Sequence, residues 1–192
     1  MRRGTHSDKK LVVDILVTAF EPLQEDNSIN FIVRNDGKRL QRLHHFMGYL
    51  FDRAILYGDV FISDQENACI LFNYPHKIKP SLRSFLLDFK LAVNCIGIKR
   101  LFKVLKRKAI SDNYFPKGDH IRIIIGGSNS TSGNGAAARL MLEIVKEFKD
   151  YKLPVITDAS NPDNVRLYKK LGFKEIGVDE SLGYPIYFLR MH

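Results

Sequence analysis

Apolar positions in the first third of the chain recur at helical spacing. Val12, Ile15, Leu16, Ala19 and Phe20 share one face of residues 8–20, as in an amphipathic helix. Ser7 or Asp8 can cap it, and Pro22 follows its end. A second stripe, Leu43, Phe46, Met47, Leu50 and Ala54, predicts a helix over residues 38–57, closed by Gly58 as helix C-termini prefer. Two short runs, 60–63 and 68–73, flank the polar turn Asp64-Gln65-Glu66-Asn67 and predict a strand pair. Residues 82–91 and 98–110 return to helical spacing, and 112–119 reads as a loop.

The pattern then changes. Residues 121–125 are a β-branched run, followed by small residues and a helical stripe (Leu140, Ile144, Val145, Phe148) over 136–148. Residues 155–157 predict a short buried strand and 161–171 a helix with Pro162 in its first turn. Strands follow at 174–178 and 184–191, joined by Asp179-Glu180-Ser181-Leu182-Gly183. Strand–helix–strand of this length predicts a parallel pair with a right-handed crossover. The last two strands fit a hairpin, so the sheet is mixed with helices on its faces.

A length of 192 residues and 45% hydrophobic content suit one domain, 1–192, with a sizeable core. No apolar run approaches the roughly 20 residues that span a bilayer. The basic N-terminus leads into no signal-peptide core, so the expected location is cytoplasmic with no membrane partner. Cys69 and Cys95 lack metal-site or disulfide spacing and read as buried hydrophobes. Much of the net charge of +9 lies at the N-terminus and in a basic amphipathic helix from Lys99 to Lys108, with Leu101, Val104 and Leu105 on one side and cations on the other. That helix fits a nucleic-acid surface, an anionic cofactor or a solvated face. The solvated face is the default, because charge alone is a statement about solubility and non-specific affinity and no nucleic-acid motif accompanies it.

The most informative segment is Ser132-Gly133-Asn134-Gly135-Ala136-Ala137-Ala138, a bend without bulky side chains between a strand and a helix. Small residues allow close approach of backbone to a ligand. The first amides of a helix lack internal partners and, with the helix dipole, suit a phosphate or diphosphate. Gly133-Asn134-Gly135-Ala136-Ala137-Ala138 fits a loose dinucleotide fingerprint, Gly-x-Gly-x-x-Ala, and Asp158 ends the next strand where an acid would meet a ribose. Against that, Gly126 to Thr131 separate the bend from its strand, and too little chain follows to complete a doubly wound half.

More residues fit another pattern. The bend is similar to the Gln/Arg-x-x-Gly-x-Gly/Ala signature of the GNAT superfamily of N-acetyltransferases, with Gly135 and Ala137 matching and Ser132 standing where the family has Gln or Arg. Downstream, Asn164, Tyr168 and Leu171-Gly172-Phe173 look like the family's second cofactor segment. The front half loosely resembles a puromycin N-acetyltransferase-like subset, through residues 16–20, Asn73-Tyr74-Pro75 and His120. The resemblance implies an α+β, three-layer GNAT fold with a central mixed, mostly antiparallel, twisted sheet and helices on both faces. It implies an acetyl-CoA-dependent N-acetyltransferase that moves acetyl directly from the CoA thioester to a primary amine; the alternative is a non-catalytic GNAT-fold module that binds CoA or another anion.

By the same resemblance, Ser132, Gly133, Asn134, Gly135, Ala136, Ala137 and Ala138 hold the diphosphate, Ile125 and Gly127 flank the pantetheine arm, Asn164 contacts the cofactor, and Tyr168 is the general acid at sulfur. Asn164 and Tyr168, four apart, share a helix face, and a phenol with a pKa near 10 is a plausible proton donor to a thiolate. His120 is the candidate base, with the carboxylates Asp119, Glu66 and Asp158 as further base or relay candidates. No metal is expected. The acceptor is expected to be a small-molecule amine, with nucleic acid an unlikely partner and a homodimer possible.

Overall fold

The computed structural model describes residues 1–129, 135–148 and 152–191, with the backbone alone at 98 and 99. Its elements are β1 (Arg2–Arg3), α1 (Lys9–Phe20), α2 (Ser28–Ile32), α3 (Arg39–Tyr57), β2 (Val60–Ile62), β3 (Ala68–Asn73), α4 (Leu82–Leu91), α5 (Ile98–Tyr114), β4 (Ile121–Ser128), α6 (Ala136–Phe148), β5 (Val155–Ala159), α7 (Pro162–Lys170), β6 (Lys174–Asp179) and β7 (Ile186–Met191). The strands form one open sheet in the order β1-β2-β3-β4-β5-β7-β6. Among the described residues only the β4–β5 pair is parallel. Among the described residues no helix is long and apolar enough to cross a membrane.

Two helical layers cover the sheet. On one face α1 and α3 bury Val12, Leu16, Met47 and Phe51 against Ile62, Cys69, Leu71 and Ile125. Further along that face α5 closes over Ile156, Ile186 and Phe188. On the other, α6 sets Leu140, Ile144 and Phe148 against Phe61, Ile70, Phe72 and Ile123. Phe61, Phe72 and Phe148 meet edge to face with centroids 5.2 to 5.9 Å apart, the geometry that aromatic quadrupoles favour. Helices therefore lie on both faces, as the alternation of strands and helical stripes predicts.

Several local expectations change. The 3-10 turn His6–Asp8 precedes α1, and Thr5 and Asp8 form the capping box there, so Asp8 caps the turn rather than the long helix. α5 runs to Tyr114, into the stretch expected to be a loop. Its inner face holds Arg100, Val104 and Arg107, whereas Leu105 is exposed. Gly58 does end α3, but its backbone is extended rather than left-handed. Glycine is needed because a Cβ there would overlap the Phe72 carbonyl of β3.

The loop after α1 is held by one cation. Arg39, 7% exposed, donates to the carbonyls of Phe20, Glu21 and Leu23 and to Asn30 Oδ1 at 2.7 to 3.1 Å. A planar guanidinium with five donors suits such multiple acceptance. The Asn27 side chain accepts from the amides of Ile29 and Asn30 and caps α2. This anchoring places α2 over the end of β5.

Gly58→Ala must push apart α3 and β3 and is expected to cost at least about 2 kcal/mol in urea unfolding. A loss below about 0.5 kcal/mol would show that the strand has room to move.

Candidate active site

β4 and β5 pair over only two positions, Ile121↔Val155 and Arg122↔Ile156. Beyond Arg122 the strands part, and residues 123–128 have no strand partner on that side among the described residues. The divergence coincides with a bulge. Leu71 of β3 faces Ile125 while Phe72 faces Ile123, so Ile124 is the extra residue. Bulges bend a strand and turn its side chains. Accordingly Ile121 and Ile123 pack with α6, whereas Ile125 packs with α1 and α3. Ile123 to Gly126 line a cleft of about 430 Å³. Thr157, Asp158 and Ala159 of β5 and Asn164 and Tyr168 of α7 form one wall; Phe20, Ile29, Phe46, Tyr49, Leu50 and Arg53 form another.

A charged cluster fills the root of this fork. Asp158, 9% exposed, pairs with Arg107 of α5 and with Arg122 of β4, the latter at 2.9 Å. Arg107 also donates to Ser28 Oγ at 2.9 Å, and Ser28 Oγ lies 2.8 Å from Ser160 Oγ. Arg122 stacks over Phe115 at 4.7 Å. Burial acts to raise the Asp158 carboxyl, but the charges of Arg107 and Arg122 outweigh it and hold the group below its ordinary 3.8. One carboxylate thus joins both diverging strands, α5 and, through Ser28, α2.

Tyr168 sits at the end of α7 and its position follows from how that helix stops. The Phe173 amide donates to the Tyr168 carbonyl at 3.0 Å and the Gly172 amide to the Lys169 carbonyl at 3.1 Å. This is the paired bonding of a Schellman cap, with the glycine left-handed at φ 94°. The rings of Tyr168 and Phe173 meet at 5.2 Å, the apolar contact that accompanies such caps. Leu171-Gly172-Phe173 is therefore a stop that clamps the Tyr168 ring. At the other end Asn161 accepts from the Asp163 amide at 2.7 Å, and Pro162 opens the helix. Burial pushes the Tyr168 phenol up to about 12, with Thr157 beside it acting in the opposite sense. The group is a neutral O–H donor across the physiological range.

The cleft brings together Ile125, Asn164 and Tyr168. Gly127 faces the other way: a Cβ there would stand 2.9 Å from Ala19 Cβ and 3.4 Å from Leu16 Cδ2, so this glycine lets α1 approach β4. Gly135, at φ 115°, opens α6. Ala136, Ala137 and Ala138 form its first turn, Ala136 buried and also lining a smaller cavity of about 170 Å³ with Asn67 and Arg139. Ser132, Gly133 and Asn134 lie outside the described residues.

His120 lies before β4 and does not line the cleft. Its ring is buried near Phe115, with Nδ1 2.7 Å from the Gly118 carbonyl. Glu66 accepts from Arg2 at 2.6 Å, and neither it nor the exposed Asp119 lines the cleft. Asp158 does, as the ion-paired group described above. Both cysteines are buried, and burial raises their thiols, that of Cys95 to about 11. Neither is a thiolate at neutral pH. Arg107, Arg122, Ser28 and Thr157 had not been singled out. Arg122 carried one signal, as the lone charge inside the isoleucine run 121–125.

No family model matches the sequence and no curated protein matches it. Solved structures do share its architecture. A histone acetyltransferase HPA2-related acetyltransferase from Corynebacterium glutamicum superposes with a TM-score of 0.65 at 18% identity, covering 98% of this chain and 93% of its own. The C-terminal condensation domain of Ebony, in complex with beta-alanyl-dopamine, gives 0.66 at 12% identity over 98% and 96%. A mosquito arylalkylamine N-acetyltransferase-like protein gives 0.58 at 15% identity over 98% and 97%. The chain shares the fold of these solved structures, a mixed sheet with helices on both faces.

Asp158→Asn leaves two arginines at the fork without their counter-charge and is expected to cost about 3–5 kcal/mol near neutral pH. Because the folded carboxyl is held below its unfolded value, its contribution is present above about 3.8 and is lost as pH falls through the folded value. The gap between wild type and variant in urea unfolding should therefore narrow on acidification. A constant gap would separate the cost from the ion pairs. Gly172→Ala, with open space for a Cβ but a left-handed backbone, should cost about 1–2 kcal/mol; no change would contradict the cap.

Proposed function

We propose that the protein is an acetyl-CoA-dependent N-acetyltransferase acting on a primary amine. The observation that carries this reading is the fork: a strand edge left open beside a half-buried, protonated phenol, on a fold shared with acetyltransferases. A narrow cleft with unpaired main chain along one wall suits a linear amide-bearing chain, which can add to the edge as a strand would. The pantetheine arm of CoA has that character, and Ile123 to Gly126 would hold it. Gly135 and the first turn of α6, together with the preceding Ser132, Gly133 and Asn134, would take the diphosphate through main-chain amides. Asn164, exposed in the first turn of α7 and lining the cleft, would contact the cofactor.

Bound acetyl-CoA supplies an activated acetyl thioester. The β4 edge contributes main-chain N–H groups that can polarise a carbonyl placed there. Tyr168, kept protonated by desolvation, delivers its proton to the departing thiolate as the C–S bond breaks, and the phenolate regains a proton from the one released by the acceptor amine. The acceptor ammonium gives up its proton to water in the cleft, since His120 lies outside it. Phe20, Ile29, Phe46 and Leu50 offer an apolar bed for the acceptor. An amine on an apolar or aromatic body fits this wall better than a polycation, and the arylalkylamine N-acetyltransferase-like neighbour is named for such an acceptor.

Calorimetry with acetyl-CoA should show binding, and a thiol-release assay across a panel of arylalkylamines should show turnover. Binding without CoA release for any amine would favour a non-catalytic module, and no binding at millimolar cofactor would remove the assignment. Tyr168→Phe should lower kcat by about 10²- to 10⁴-fold with little change in cofactor affinity. Unchanged kcat would dismiss the acid role.

A further inference from the structure

The chain carries its charge unevenly. Residues 77–108 contain ten of the 30 lysines and arginines but only one of the 21 acids, Asp88. The remaining chain has 20 of each, so the whole excess of +9 belongs to this segment. The N-terminal arginines are matched by acids that face them: Arg2 pairs with Asp8 and Glu66, and Arg3 with Asp59 and Glu147.

Within the same segment α4 is amphipathic the wrong way round. Leu82, Phe85, Leu86, Phe89 and Val93 fall on one helical stripe and all face solvent, with Leu82 76%, Phe85 65% and Phe89 59% exposed. The helix is held by its more polar side. Asp88 accepts from Tyr49 at 2.8 Å, Ser81 and Ser84 form a capping box, and Tyr57 Oη lies 3.2 Å from Ser81 Oγ. Ser84 is buried and Leu87 and Leu91 are half-buried on that side. Helical spacing puts Arg83 and Lys90, both exposed, together on one border of the stripe. α5 continues the theme with Phe102, 80% exposed, and Leu105 between the exposed Lys103 and Lys106.

We propose that this face is a peripheral docking surface for a lipid bilayer carrying anionic headgroups. Large apolar side chains bordered by lysine and arginine suit a helix lying in the headgroup boundary, where apolar burial and attraction to anionic lipid act together. A second copy is a poorer occupant, because a two-fold contact brings two faces of the same positive charge together. Nucleic acid is poorer still, since phosphates satisfy the cations and leave the phenylalanines wet. The inner residues Leu91, Val104 and Arg107 of the same segment line the cleft, so docking places the cleft wall next to the lipid surface.

The test is co-sedimentation of the full chain with vesicles of phosphatidylcholine, with and without phosphatidylserine. Partition onto the anionic vesicles should exceed that onto neutral ones by at least about tenfold and fall with added salt. Phe85→Ser with Phe89→Ser should lower it by about tenfold, with circular dichroism unchanged because both positions are exposed. Arg83→Glu with Lys90→Glu should remove the preference for phosphatidylserine. Absence of binding, equal binding to both vesicles, or binding untouched by the phenylalanine substitutions would overturn the proposal. So would a concentration-dependent dimer, seen by sedimentation velocity, that those substitutions abolish; the face would then belong to a second copy.

Discussion

The parting of two parallel strands after a single pair of registers is the constraint around which the rest of the molecule is arranged. A parallel strand buried on both faces normally uses its hydrogen-bonding groups along its whole length. Among the described residues β4 stops doing so after Arg122 on its β5 side, and unpaired main-chain groups are tolerated only where water or a ligand can meet them. The bulge at Ile124 makes this possible by bending the strand and exchanging which side chains face which layer. The open backbone is thus delivered to a cleft, and the isoleucine side chains still find cores on both sides.

Such a fork needs something to stop it from closing or spreading. Asp158 with Arg107 and Arg122 occupies its root, tying together the two strands and α5, and through Ser28 also α2. A buried ionic cluster adds little net stability compared with apolar packing; its value here is geometric, since no apolar residue could hold the strands at one separation and at the same time present polar groups to the cleft. Tyr168 is set by a separate device, the Schellman stop of α7, so its ring is fixed independently of the charged cluster.

The sequence made the C-terminal half readable because its elements obey strong local rules. α6 spans the residues its stripe predicts, α7 begins at the capped Asn161-Pro162 pair, and β4–α6–β5 is the parallel unit its length implies. The fork itself is silent in the sequence. In Ile123-Ile124-Ile125 every residue suits either layer, so nothing marks which one is the extra residue. Arg107 was hidden in a run of cations and separates from Lys106 and Lys108 only once α5 is seen to turn one side inward. β1 and α2, two and five residues long, are too short for periodicity and depend on Arg2, Arg39 and Ser28 reaching residues distant in the chain. Gly58 and Gly127 showed that a glycine at an element boundary can signal close packing as readily as a turn.

Backbone amide hydrogen exchange with and without CoA tests the fork most directly. If the open edge of β4 receives the cofactor's arm, the amides between Ile123 and Gly126 should become protected on binding, together with those of the first turn of α6. Tight binding of CoA that leaves the β4 amides exchanging at their free rate would contradict the account.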